Sequence, residues 1–100
     1  MIKHIVFWKL KDEVKIAALD DTVRELKSRL ENLKSRIPEI QSLEVGKNAN
    51  TAGAAWDVAL YSEFGDISDL EKYQRHPEHL KVAEYLKSIV SDRAVVDYRV

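Results

Sequence analysis

The chain has 100 residues, 45% apolar and 33% charged, with a net charge of −1 and no cysteine. That makes one small globular domain, 1–100, with just enough chain for a core. It excludes a disulfide framework, a thiolate metal site and a cysteine nucleophile. The charge balance gives no case for nucleic acid or an anionic membrane as partner.

Residues 2–10 are rich in β-branched and aromatic side chains and read as a strand. One face carries Ile2, His4, Val6, Trp8 and Leu10; the other carries Lys3, Ile5, Phe7 and Lys9. A solvated face should be polar, so Ile5 and Phe7 imply that both faces want cover. The run is too short and too interrupted for a signal peptide or a spanning helix. With the lack of cysteine, that makes a cytoplasmic location the expectation.

Residues 15–36 carry Ile16, Leu19, Val23, Leu26, Leu30 and Leu33, with Ile37 just beyond, spaced alternately three and four apart. This is one stripe of an amphipathic helix, and Pro38 stops it. Residues 40–47 read as a short strand, and residues 48–53 as a turn. Residues 55–64 form the next strand, with Trp56, Val58, Leu60 and Phe64 on one face and Ala55, Asp57, Ala59, Tyr61 and Glu63 on the other. Asp66 is placed to cap a helix carrying Ile67, Leu70 and Tyr73.

Pro77 then breaks the pattern. The residue before a proline is driven out of the α region, whereas Pro itself suits the first turn of a new helix. His76 therefore falls at a corner and His79 in the following turn, which can aim Tyr73 and His79 at one point. The second helix runs to about Val90, and residues 93–100 close the chain as a strand.

The order β-α-β-β-α-β is the ferredoxin-like α+β arrangement, a four-stranded antiparallel sheet with its helices on one face. The uncovered face would expose Ile5, Phe7, Ala59, Tyr61 and Val95, and an apolar patch of that kind marks an interface. A homodimer with two sheets packed face to face, a dimeric α/β barrel, is the expected partner arrangement.

Taken together, Met1–Lys11, Ser42-Leu43-Glu44-Val45-Gly46, Trp56–Phe64, Tyr73–His79 and Val96-Asp97-Tyr98 resemble the stress-responsive α/β-barrel domain (Dabb) family along nearly the whole chain. The resemblance implies the same dimeric barrel. Many members of that family have no assigned reaction, and others resemble structural stress proteins that form stable assemblies. One plant member closes a linear polyketide by aldol condensation. Its active-site tyrosine and histidine match Tyr73 and His79, and a first-strand histidine matches His4. That enzyme has a further pocket histidine where this chain has Val58.

Two functional readings follow. One is a binding or stress-response domain without turnover, holding a small apolar or aromatic ligand. The other is a cofactor-independent cyclase-, lyase- or isomerase-like enzyme acting on a ketone, quinone or polyketide-like molecule. In the enzyme, His79 and Tyr73 are the catalytic pair, a base near neutral pH and an orienting hydroxyl. His4, Trp8, Trp56 and His76 are the expected ligand-binding residues. The same side chains also read as architecture, with His4 a hydrogen-bonded core histidine, His76 a corner cap and Tyr73 a packing residue. His76, Glu78 and His79 offer two imidazoles and a carboxylate, but the proline disturbs their spacing and no fourth ligand stands out. No metal and no cofactor are expected. Glycines are too few for a phosphate loop, and no serine sits in a nucleophile elbow. What separates the two readings is whether a cavity reaches both the His79 ring and the Tyr73 hydroxyl.

Overall fold

A computed structural model describes residues Met1–Val100. The elements are β1 (Ile2–Leu10), α1 (Asp12–Arg36), β2 (Ser42–Lys47), β3 (Val58–Phe64), α2 (Ile67–Arg75), α3 (Pro77–Ile89) and β4 (Val90–Arg99). The strands form one antiparallel sheet in the order β2-β3-β1-β4. This is the ferredoxin-like arrangement expected from the element order.

The alternation in β1 settles which face is covered. Ile2, His4, Val6, Trp8 and Leu10 are all buried, and so are Val58, Leu60, Ser62 and Phe64 of β3. Val23, Leu26, Leu30 and Leu33 of α1 pack on them, with Leu70 and Tyr73 of α2 and Val82 and Ile89 of α3. The helices lie over β2, β3 and β1 and leave β4 largely uncovered. A gap therefore opens between α3 and β4.

Three local expectations are corrected. The α1 stripe does not extend to Ile16, which is 87% exposed. Ala18 leaves helical geometry (φ −161°, ψ 48°) and breaks the helix there. The first turns are thereby re-aimed, and Val14 packs on the core instead. The third strand begins at Val58 rather than Ala55, because Asp57 leaves the ladder. Its carboxylate accepts the Leu10 N–H at 2.8 Å, and its own N–H donates to the Trp8 carbonyl. The last strand begins at Val90, directly after α3.

Val95 is also corrected. It stands opposite Val6 in the ladder, on the helix side of the sheet, whereas Val96 stands opposite Ile5. A one-residue change of register moves a strand side chain to the other face. The uncovered face therefore carries Ile5, Phe7, Ala59 and Tyr61, joined by Ala94, Val96 and Tyr98.

Candidate functional site

The Asp66 carboxylate caps α2 by accepting the Asp69 N–H at 2.8 Å. The helix ends where Pro77 forces His76 into extended geometry (φ −64°, ψ 136°). His76 Nδ1 then accepts the Glu78 N–H at 3.1 Å and caps α3. The corner turns His79 back onto Tyr73, with ring centroids 4.5 Å apart. Tyr73 also packs on Phe64 at 4.9 Å and lies 6.2 Å from the His4 ring. The corner thus joins α2, α3 and β1 at one cluster of rings.

A cavity of about 460 Å³ opens beside that cluster. His4, Val6, Trp8 and Leu60 form its floor. Leu30 and Tyr73, with His79, Ala83, Leu86 and Lys87 of α3, form its walls, and Val90 and Arg93 of β4 complete it. Of these, only His4, Trp8, Tyr73 and His79 were singled out by the sequence as functional, and Arg93 is the most consequential of the others. It sits opposite Trp8 in the β1–β4 ladder, a pairing that only the register reveals.

The hydrogen bonds fix the tautomers. His79 Nδ1–H donates to the Gln74 carbonyl at 3.0 Å, since a carbonyl can only accept. In the neutral ring this leaves the lone pair on Nε2. His4 Nδ1 is paired with the Asp97 carboxylate, its direct neighbour across the ladder. Asp97 is the second residue that the sequence reading missed. The available sign was a carboxylate directly after the Val95-Val96 pair. No fully buried side-chain nitrogen or oxygen lacks a partner. The Tyr73 hydroxyl and the Nε2 atoms of His4 and His79 have no protein partner, so they open onto the cavity.

Burial sets the protonation states. It holds the Tyr73 hydroxyl protonated, far above the usual phenol range, and the positive charge of Arg93 opposes this only in part. Burial also lowers the pKa of His79 from the ordinary 6.5. The Gln74 hydrogen bond opposes that shift, and charge on His4, Arg93 and His76 adds to it. At neutral pH the site presents a neutral imidazole beside an un-ionised phenol.

Two expected ligand-binding residues lie elsewhere. Trp56 precedes β3, so the strand's alternation does not govern it. Its ring lies 6.5 Å from Phe7 on the uncovered face, with Lys9 Nζ 4.9 Å above it. There it borders a separate hollow of about 300 Å³. The His76 ring is spent on the α3 cap and is not among the residues lining the main cavity. Glu78 pairs with Arg36 and Lys81, and no three His, Cys, Asp or Glu side chains cluster to hold a metal ion. Val58, where the plant cyclase carries a histidine, is buried in the core. No helix is long and apolar enough to cross a membrane.

The family model for the stress responsive A/B barrel domain, Dabb, matches residues 2–100. The chain belongs to the Dabb family. Among solved structures it is similar to a dimeric Bacteroides fragilis protein of unknown function and ferredoxin-like fold. The identity is 38%, the TM-score is 0.90, and 99% of this chain and 95% of that one are covered. A dimeric ferredoxin-like protein of unknown function from Thermobifida fusca is 23% identical with a TM-score of 0.85, over 99% and 90% of the two chains. Hydroxynitrile lyase from Passiflora edulis is 19% identical with a TM-score of 0.81, over 99% and 92%. At those last two identities the likeness is one of fold. No curated protein matches the chain by sequence. Solved structures that share this fold thus include an enzyme and proteins of unknown function.

Proposed function

We propose that the cavity binds a small apolar or aromatic carbonyl compound and catalyses proton transfer at the carbon next to the carbonyl, without a cofactor. The observation that carries this is a single cavity open to both the Tyr73 hydroxyl and the His79 Nε2 lone pair. His79 takes the α-proton, and the electron pair moves into an enolate. The Tyr73 O–H donates to the enolate oxygen as charge develops there. His79 then returns the proton. Lowered by burial, His79 stays neutral and able to accept at pH 7. Tyr73 stays protonated and able to donate. Asp97 holds His4 with Nδ1 occupied and Nε2 toward the ligand, a positioning role.

The protein works as a homodimer in this reading, joined through the face bearing Ile5, Phe7, Ala59, Tyr61 and Val96. Half-buried apolar side chains at the centre of an uncovered sheet support it, as do the dimeric relatives. The catalytic cavity lies on the other side of the sheet.

The test is deuterium exchange at the α-carbon of an aryl methyl ketone in heavy water, followed by proton NMR. Exchange should exceed the buffer rate about a hundredfold or more and fall in His79→Ala. Exchange no faster than buffer, with the ketone bound, would leave a binding domain without turnover. That second reading is the one the structural stress proteins of the family favour.

A further inference from the structure

The cavity has an apolar body and a one-signed mouth. Trp8, Leu30, Leu60 and Leu86 surround its interior, while Arg93 and Lys87 stand on β4 and α3 where the helix layer ends. No acidic side chain lines it. The nearest carboxylate on the same face of β4, Asp97, is engaged by His4. Arg93 takes part in none of the chain's ion pairs. Lys87 has only Glu84, at 3.3 Å with both side chains more than three-quarters exposed. Such a pair is worth little and exchanges readily. An arginine with no partner beside an apolar cavity keeps its five donors free for a ligand.

We infer that the cavity selects a monoanionic ligand, an acid whose apolar body fills the interior and whose carboxylate is held at the mouth by Arg93 with Lys87. This rests on the reading of the cavity as a small-molecule site and names the class of molecule it takes. The planar guanidinium matches a carboxylate with two parallel hydrogen bonds. A monoanion suits the place better than a phosphate dianion. The mouth lies at the last turn of α3, the end of the helix that carries partial negative charge. Anchored there, a keto acid would point its carbonyl inward to Tyr73 and His79.

Cinnamate and cinnamamide test this, since they share a body and differ by one charge. Phenyl phosphate is the third probe. Binding is followed by calorimetry and by the fluorescence of Trp8, using Trp56→Phe protein so that Trp8 alone reports. Cinnamate should bind about tenfold tighter than cinnamamide, the effect of one charge-assisted hydrogen bond at a partly exposed site. The preference should shrink in high salt. Arg93→Gln should reduce it to within about threefold by weakening cinnamate much more than cinnamamide. Arg93 is exposed on an edge strand, and circular dichroism verifies that the variant folds. Equal binding of acid and amide overturns the charge assignment and leaves the cavity reading standing. Persistence of the preference in Arg93→Gln overturns it too, and phenyl phosphate binding tighter than cinnamate overturns the carboxylate. Failure of all three to bind overturns both this inference and the small-molecule site beneath it.

Discussion

Replacing Tyr73 by Phe separates chemistry from architecture at the centre of the site. The Tyr73 ring is buried against Phe64 and His79 at 4.9 and 4.5 Å, and a phenylalanine ring keeps both contacts. The hydroxyl opens onto the cavity and has no protein hydrogen bond to lose. Its removal should therefore change stability by less than about 1 kcal/mol. Tyr73→Ala, by contrast, empties a fully packed position and should cost about 3–5 kcal/mol. Turnover should follow the opposite pattern. Loss of one donor to a developing oxyanion slows reaction by about a hundred- to a thousandfold. The assay pairs urea denaturation, at fixed protomer concentration because a dimer's stability depends on it, with the ketone exchange rate. A destabilisation of about 2 kcal/mol or more in Tyr73→Phe would refute the reasoning, since the hydroxyl would then be bonded within the protein. An unchanged exchange rate in a stable variant would refute its catalytic role.

Four further outcomes are expected. His79 should titrate below 6.5 in an NMR pH series. The unfolded chain then binds more protons than the folded one just below pH 6.5, so stability is full above that value and declines as pH falls towards the folded pKa. A midpoint above 6.5 would contradict the burial that sets it. Asp97→Ala strips His4 Nδ1 of its partner and should cost about 1–3 kcal/mol while slowing exchange; Asp97→Asn should recover most of the stability. Ile16→Gln should shift stability by no more than about 0.5 kcal/mol, whereas Leu26→Ala should cost about 2–5 kcal/mol, and equal losses would mean the helix runs straight through Ala18. Phe7→Glu should give monomers by light scattering, and Val95→Thr should not. A dimer surviving Phe7→Glu would move the interface off this face.

The Tyr73–Pro77–His79 corner was legible because its cause is local. A proline restricts its predecessor and starts a helix whatever surrounds it. The alternation of β1 was legible for the same kind of reason, since a two-residue period assigns faces without knowledge of neighbours. Trp56 failed because the alternation was carried two residues past the point where Asp57 leaves the ladder. Val95 failed because the face of an edge strand depends on its register with β1. Ile16 failed because periodicity cannot register a break at an ordinary alanine.

The sequence by itself determined the element order, the two-faced central strand and the meeting of Tyr73 with His79. All three follow from φ restriction and side-chain period, which act within a few residues. Only the tertiary structure decided that His4 is held by Asp97, that Arg93 stands at the cavity mouth, and that Trp56 lies on the opposite face. Those are pairings between the two ends of the chain or across a loop. They are set by strand register and helix placement, which depend on packing the whole core at once.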